Sequence, residues 1–450
     1  MSHKESFSHT NRRNFLAGLW HGAFLALGMS LTQPTTVISA FIADLTGSVI
    51  WVGGLATVLT VAGTLPQIFV ARWIEPRPKK MPYLLIAIYL RVLSWGALAW
   101  LVYSIGAERP QILAWILVVL LAIFYAGGGL GNVPYTDIIG KIIPAGRRGA
   151  FFGGKGALAG LLSVGAALLA RQILARVAFP INYALLFGLA SGGLAIASMG
   201  FWAIREPPAV TKHRQTLSWR DYWAQILAGS RRLKWLIVIQ LLTGFSLMAL
   251  PFYVVYARDN LGAPAAAVGW YLLAQVSGGV IANLFWAHLV DRSGSRKMLA
   301  VCATTSAFVP VLAIALSGFG WMAMLPIFFL AGTTTEGRNV GFSSALLELA
   351  PSAERPTYAG LNALLMLPIS FLPLLAGLFV EHWSYTALYV FAAIFIATGA
   401  WIAWQWSHRY FQEMADGGET MDVVYPPDAR IVSINSPELI EQEKNIHKPR

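Results

Sequence analysis

Twelve long apolar runs, separated by short polar stretches, set the pattern of this chain. They cover about residues 14–43, 49–74, 82–105, 111–140, 150–174, 181–203, 234–257, 266–290, 298–318, 321–347, 357–380 and 385–407. Each reaches the ~20 residues that a helix needs to cross the hydrocarbon core of a bilayer. Transmembrane strands are shorter and alternate in polarity, and these runs do neither. The pattern predicts an all-α polytopic membrane protein with 12 transmembrane helices. The first run is too long for the ~7–15-residue core of a signal peptide, so it reads as an uncleaved first helix.

Composition agrees. The chain is 56% hydrophobic and 12% charged, and a soluble fold of this size lacks the polar residues to cover so much apolar surface. The net charge of +12 has two readings, a nucleic-acid binder or a membrane protein with basic loops, and the placement of the charge decides between them. With the N-terminus inside, the inner segments before the tail carry 21 Lys and Arg, and the outer segments carry four: Arg109, Arg171, Arg176 and Arg258. That asymmetry predicts cytoplasmic termini and accounts for the charge without nucleic acid. The expected location is the plasma membrane, which is the inner membrane in a bacterium.

The longest inner loop divides the runs six and six. The expected organisation is a cytoplasmic segment 1–13, a six-helix bundle 14–204, a central loop 205–233, a second bundle 234–408 and a polar cytoplasmic tail 409–450. Within the loop, Trp219, Tyr222, Trp223, Ile226 and Leu227 follow a helical stripe, as an amphipathic helix on the inner membrane surface would. The halves also echo one another. At a shift of 207 residues Asn132-Val133 meets Asn339-Val340, Pro144 meets Pro351, Arg148 meets Arg355 and Gly153 meets Gly360. A second echo pairs the basic turn 71–80 with 287–297. Duplicated bundles of this kind are common among transporters.

The second of these turns carries a motif. Asp291, Arg292, Gly294, Arg296 and Lys297 follow the spacing of the G-x-x-x-D-R-x-G-R-[KR] loop, with Ala287 in place of the leading glycine and Ser295 in place of the first closing basic residue. In the first turn Glu75 holds the acid position. With twelve runs and a long central loop, the chain resembles the major facilitator superfamily over residues 14–408. The resemblance implies two pseudo-symmetric six-helix bundles around a central cavity lined by helices 1, 4, 7 and 10. It also implies a cytoplasmic latch at Asp291, with Glu75 the weaker counterpart. The Gly-Pro pair of drug/proton antiporters is missing from the fifth run, whose glycines read instead as points of close helix approach.

Ionisable groups inside apolar runs are costly and are functional candidates by default. Glu336 is the one acid near mid-depth. It is a candidate proton carrier, or else the partner of a basic group on another helix. Arg338 lies two residues on, about 200° round the helix, so the two cannot share a face. Arg338 suits an anionic substrate group, or snorkels inward. Arg91 either pairs with Asp137 or snorkels. His21 is a coupling candidate or a hydrogen-bonded packing residue, and Lys155 is expected to snorkel. Polar neighbours on the helices that line the cavity are Gln33, Tyr125, Asn132, Gln240, Thr335 and Asn339. Cys302 reads as an inert packed thiol.

No Walker loop, metal-ligand spacing or catalytic pairing of carboxylates is visible, so neither cofactor nor metal is expected. The leading function is secondary active transport of a small polar or anionic organic solute by a monomer, with proton or sodium as a candidate coupling ion. A non-transporting sensor or assembly factor on the same fold, and a membrane-embedded enzyme, are the alternatives.

Overall fold

The computed structural model describes residues 9–74, 77, 79–106, 108–144, 147–207, 231–350 and 355–415. Glu75, the 219–227 stripe, Pro351 and most of the polar tail lie outside these residues. So do Pro76 and Pro78 of the first basic turn.

The described chain is helical throughout. Helix 1 comprises His9–Leu31, a π-helical turn at Pro34–Ile38 and Ser39–Thr46. Helices 2 to 6 are Val49–Ile74, Met81–Ile105, Pro110–Ile142, Arg148–Arg176 and Ile181–Ala203. Helix 7 runs in three pieces, Arg231–Thr243, Ser246–Ala249 and Phe252–Leu261. Helices 8 and 9 form a continuous Ala267–Ala315 ribbon broken at Gly294. Helix 10 is Leu325–Leu349. Helix 11 is Arg355–Leu365, a 3₁₀ turn Leu367–Phe371 and Leu372–His382. Helix 12 is Tyr385–Ala415.

By length and hydropathy alone, nine helices among the described residues qualify as spans. The other three follow from local chemistry. Gly294, with φ 76° and ψ 163°, occupies a backbone region essentially reserved for glycine, and there one long ribbon becomes two spans. Helix 10 is diluted by its polar residues. Helix 11 is cut by Pro368 and Pro373, which remove backbone donors. Helix formation is forced because lipid cannot hydrogen-bond a bare backbone. With an even number of crossings, helix 1 begins and helix 12 ends at one face, called here the terminal face.

Within the halves, glycines set the tightest contacts. A Cβ on Gly332 of helix 10 would overlap the Gln275 backbone of helix 8, and one on Gly278 would overlap the Phe329 backbone. The glycines of helix 5 behave differently from the sequence expectation. A Cβ on Gly160 would come within 3.0 Å of Val280 Cγ1, a close approach, but a Cβ on Gly153, Gly156 or Gly165 would meet nothing within 4 Å.

The halves meet through helix 2 on helix 11, helix 5 on helix 8, and helix 1 on helices 7 and 8. The Leu374 N–H, released by the proline breaks of helix 11, donates to Thr57 Oγ1 at 3.1 Å. Arg171 places its guanidinium 4.0 Å over the Trp270 ring. Thr35 and Gln275 exchange hydrogen bonds of 3.2 and 2.9 Å. Arg258 and Asp44 close the end of the seam at 2.6 Å. These contacts lie at mid-depth or nearer the face opposite the termini.

Candidate functional site

The principal cavity, about 250 Å³, lies in the C-terminal half. Helix 7 contributes Gln240, Ser246 and Leu247. Helix 10 contributes Thr335, Arg338, Asn339, Phe342, Ser343 and Leu346, and helix 11 adds Asn362. Helices 1 and 4 do not reach it, unlike the lining implied by the family resemblance. Its depth follows from helix 10. Arg338 stands eleven residues before Leu349, so it lies about 16 Å from that end of the helix at 1.5 Å per residue.

The opening between helices 7 and 10 arises where helix 7 loses its regular ladder. Gly244 donates to both Gln240 O and Leu241 O, at 2.9 and 3.1 Å, and the helix restarts at Ser246. Arg338 reaches across this gap. Its guanidinium donates to Thr243 Oγ1 and stacks 5.1 Å from the centre of the Phe342 ring. Among the described residues no carboxylate pairs with it. One hydrogen bond leaves most of the five guanidinium N–H donors for a ligand or water. Gln240 Oε1 and Asn362 Oδ1 are buried acceptors in the same cavity with no protein partner. A second void of about 10 Å³, sharing Ser246 and Thr335 with the first, is water-sized.

Glu336 faces the other way, as its two-residue offset from Arg338 requires. The side-chain amides of Asn283 of helix 8 and Asn339 of its own helix are its polar neighbours, and its Cγ lies where a side chain on Gly279 would go. Its partners are amides rather than the basic group weighed in the sequence reading. Asn339 touches both groups of the site, because it neighbours Glu336 and lines the cavity.

The remaining candidates lie apart from this cavity. His21 is buried, with Nδ1 3.2 Å from Ala197 O and its ring 4.2 Å from Phe201. Gln33 caps the π-turn of helix 1, where its carbonyl accepts from Thr36, Val37 and Ile38. Asn132 is exposed on helix 4. Arg91 crosses Gly127 and Gly128 to lie 4.5 Å over the Phe124 ring and 3.3 Å from Met29 Sδ. Tyr125 stands beside it with a buried, unpaired hydroxyl. Arg91 is therefore not the partner of Asp137, which Lys80 holds at 3.0 Å together with Lys141. The Lys155 ammonium donates to Tyr135 Oη at 2.7 Å. Cys302 is buried against Thr334 O.

Of the latch residues, Gly294 forms the break between helices 8 and 9. Arg296 lies 5.0 Å over the Trp406 ring. Asp291, Arg292 and Lys297 are exposed, and no bond to Asp291 is formed among the described residues. Glu75 lies outside them.

Some functional positions escaped sequence reasoning. Asn283 and Asn362 sit on helices 8 and 11, which the assumed lining excluded. An uncharged amide within an apolar run was the available signal. Glu206 was missed as well. It accepts from the backbone N–H groups of Lys80 and Met81 at 3.0 and 2.9 Å and from Lys141 at 3.2 Å, and so caps helix 3.

Residues 236–414, holding this cavity and the Gly294 break, match the profile of the Major Facilitator Superfamily. That match spans about two fifths of the chain. The whole described architecture agrees. A bacterial homologue of the iron transporter ferroportin in its inward-facing state superposes with a TM-score of 0.66 at 14% identity, covering 90% of this chain and 100% of that one. The nucleoside transporter NupG gives 0.65 at 13%, over 86% and 99%. The D-xylose-proton symporter gives 0.62 at 16%, over 86% and 97%. At these identities the likeness is one of fold. In sequence, the uncharacterized proteins Rv2209 of Mycobacterium tuberculosis and Mb2232 of Mycobacterium bovis are 25% identical over 349 residues. The match covers 75% of this chain and 65% of those relatives.

Proposed function

We propose that this chain is a major-facilitator-type secondary active transporter that moves a small organic anion by alternating access as a single chain. The observation that carries this reading is Arg338, a guanidinium inside a cavity with no carboxylate among the described residues to balance it. A cation desolvated without a partner is unfavourable, and an anionic solute that entered would relieve that penalty. Basic residues concentrate at the terminal face, which supports placing that face in the cytoplasm. The inter-half contacts then close the external side, and the cavity extends toward the cytoplasm from mid-depth.

Glu336 is the coupling residue in this proposal. Its amide partners can hold it in either protonation state, since an Asn side chain both donates and accepts. Asn339 joins it to the cavity, so a proton on Glu336 and a solute beside Arg338 are felt by one side chain. The proposed transport is proton-linked, and the binding energy of solute and proton biases the two arrangements of the halves.

The test is uptake of small organic anions into proteoliposomes of the full chain, with imposed pH and voltage gradients. Saturable flux that Arg338→Gln abolishes is the expected result. Absence of flux for every anion, with the protein correctly inserted, overturns the transport reading.

A further inference from the structure

We propose that the solute taken up beside Arg338 is a hydroxycarboxylate, an acid whose carbon chain also carries hydroxyl donors. The proposal rests on the transport reading above in placing the solute in this cavity, and deepens it by fixing the solute's chemistry. The cavity makes two unmet demands at once. Arg338 offers N–H donors and a positive charge. Gln240 Oε1 and Asn362 Oδ1 are buried acceptors without a protein partner, and both residues line the same cavity. A solute that enters the cavity meets all three groups, and one that leaves a buried polar group unanswered loses affinity.

Simple candidate classes meet only half of this demand. A plain carboxylate or an inorganic anion answers Arg338 but presents nothing except acceptors to the amide oxygens. A neutral polyol answers the amides and leaves the guanidinium uncompensated. An amino acid supplies donors, but its ammonium adds a second cation to a lining with no carboxylate. A hydroxycarboxylate places its carboxylate on the guanidinium fork, which recognises it bidentately, and turns its hydroxyls to the two amides. Phe342, Leu247 and Leu346 cover the carbon chain. The volume of about 250 Å³ far exceeds what a single water needs and leaves room for a small acid.

The discriminating measurement is equilibrium binding to the full-length protein in lipid nanodiscs. The probes are lactate, glycerate and gluconate, set against propionate, hexanoate, alanine and sorbitol. At least one hydroxylated acid should bind about ten-fold or more tightly than its deoxygenated counterpart, because a site built to bond a hydroxyl penalises its absence. Gln240→Leu and Asn362→Leu should each erase most of that preference, read as the ratio of affinities for the hydroxylated and deoxygenated acids. Gln240→Glu, which offers Arg338 an internal carboxylate and so maintains folding, should weaken every acid. Equal affinity for hydroxylated and deoxygenated acids overturns the proposal. So does tighter binding of alanine or sorbitol, failure of every hydroxylated acid to bind, or a preference that survives in both leucine variants. Binding as expected without flux in proteoliposomes would instead sink the transport reading alone. Flux restricted to non-hydroxylated anions would sink this inference alone.

Discussion

The guanidinium of Arg258, at the end of helix 7, donates to the carboxylate of Asp44, at the end of helix 1, across 2.6 Å. The pair is the centre of a chain of contacts. Arg258 also bonds Asp259 at 2.8 Å, Tyr183 donates to Asp44 at 3.2 Å, and Tyr385 donates to Asp259 at 3.1 Å. Helices 1 and 6 of one half are thereby tied to helices 7 and 12 of the other. Both charged side chains keep about a quarter to a third of their exposure, so the pair is worth ~0.2–1 kcal/mol rather than a buried-bridge value. Asp44→Asn should therefore raise the population opened at this face by roughly two- to five-fold. Spin labels at Thr46 and Leu261 would report it as a longer-distance component. The charge swap of Asp44→Arg with Arg258→Asp should restore the wild-type distribution, and an unchanged distribution in Asp44→Asn would remove the pair from any gating role.

Arg338 gives a prediction of opposite sign for stability and function. A cation without a carboxylate partner is held there against its hydration, so Arg338→Met should raise the melting temperature while abolishing solute binding. The gain should be on the order of 1 kcal/mol or more, by analogy with apolar replacements of buried ionic groups. Thr243, its present acceptor, keeps its own bond to Ile239 O at 2.7 Å, so no hydroxyl is orphaned. A thermal melt in nanodiscs decides the matter, and a destabilised Arg338→Met would show that the arginine is a structural brace.

Glu336→Gln should separate exchange from accumulation. Glutamine retains the length and can hydrogen-bond the amides of Asn283 and Asn339 but cannot give up a proton. Solute counterflow should persist near the wild-type rate, whereas uptake driven by an imposed pH gradient should disappear. Gradient-driven accumulation that survives in the variant would show that the proton travels elsewhere.

The fold was legible in the sequence because lipid leaves the backbone so few options. Run length and basic asymmetry suffice to predict helices, and the Gly294 turn announces its break through a glycine in a known loop pattern. The site was legible only in part. Glu336, Arg338, Asn339 and Thr335 stood out as polar residues in an apolar run, and the two-residue offset put the first two on different faces of helix 10, toward helices 8 and 7. Which further residues they meet depends on how helices 7, 8, 10 and 11 pack, and no local pattern encodes that. Asn283 and Asn362 were thus passed over, and the neighbours of Arg91 were not foreseen beyond the choice of pairing with Asp137 or snorkelling. Asp44 and Arg258 lie 214 residues apart, and neither has neighbours in sequence that would mark it as half of a pair.

Helix 10 is held to helix 8 so closely that a methyl group should be felt in both stability and gating. A Cβ on Gly332 would fall on the Gln275 carbonyl, which is backbone and cannot rotate away. Helix 8 must then shift, and it carries the Gln275 side chain bonded to Thr35 across the halves. Gly332→Ala should cost ~1–3 kcal/mol, the usual range for overpacking, and should loosen the Thr35–Gln275 contact. On helix 5, where Gly153 and Gly165 have open space, Gly→Ala should be neutral or stabilising by up to ~1 kcal/mol through helix propensity. The two classes are compared by thermal melting and by labelling of a cysteine placed at Thr36, which is fully buried beside the contact. Faster labelling in Gly332→Ala, with none in Gly153→Ala, is the expected pattern. Equal behaviour of the two alanine variants would mean that the helix 8–helix 10 contact yields without disturbing the seam between the halves.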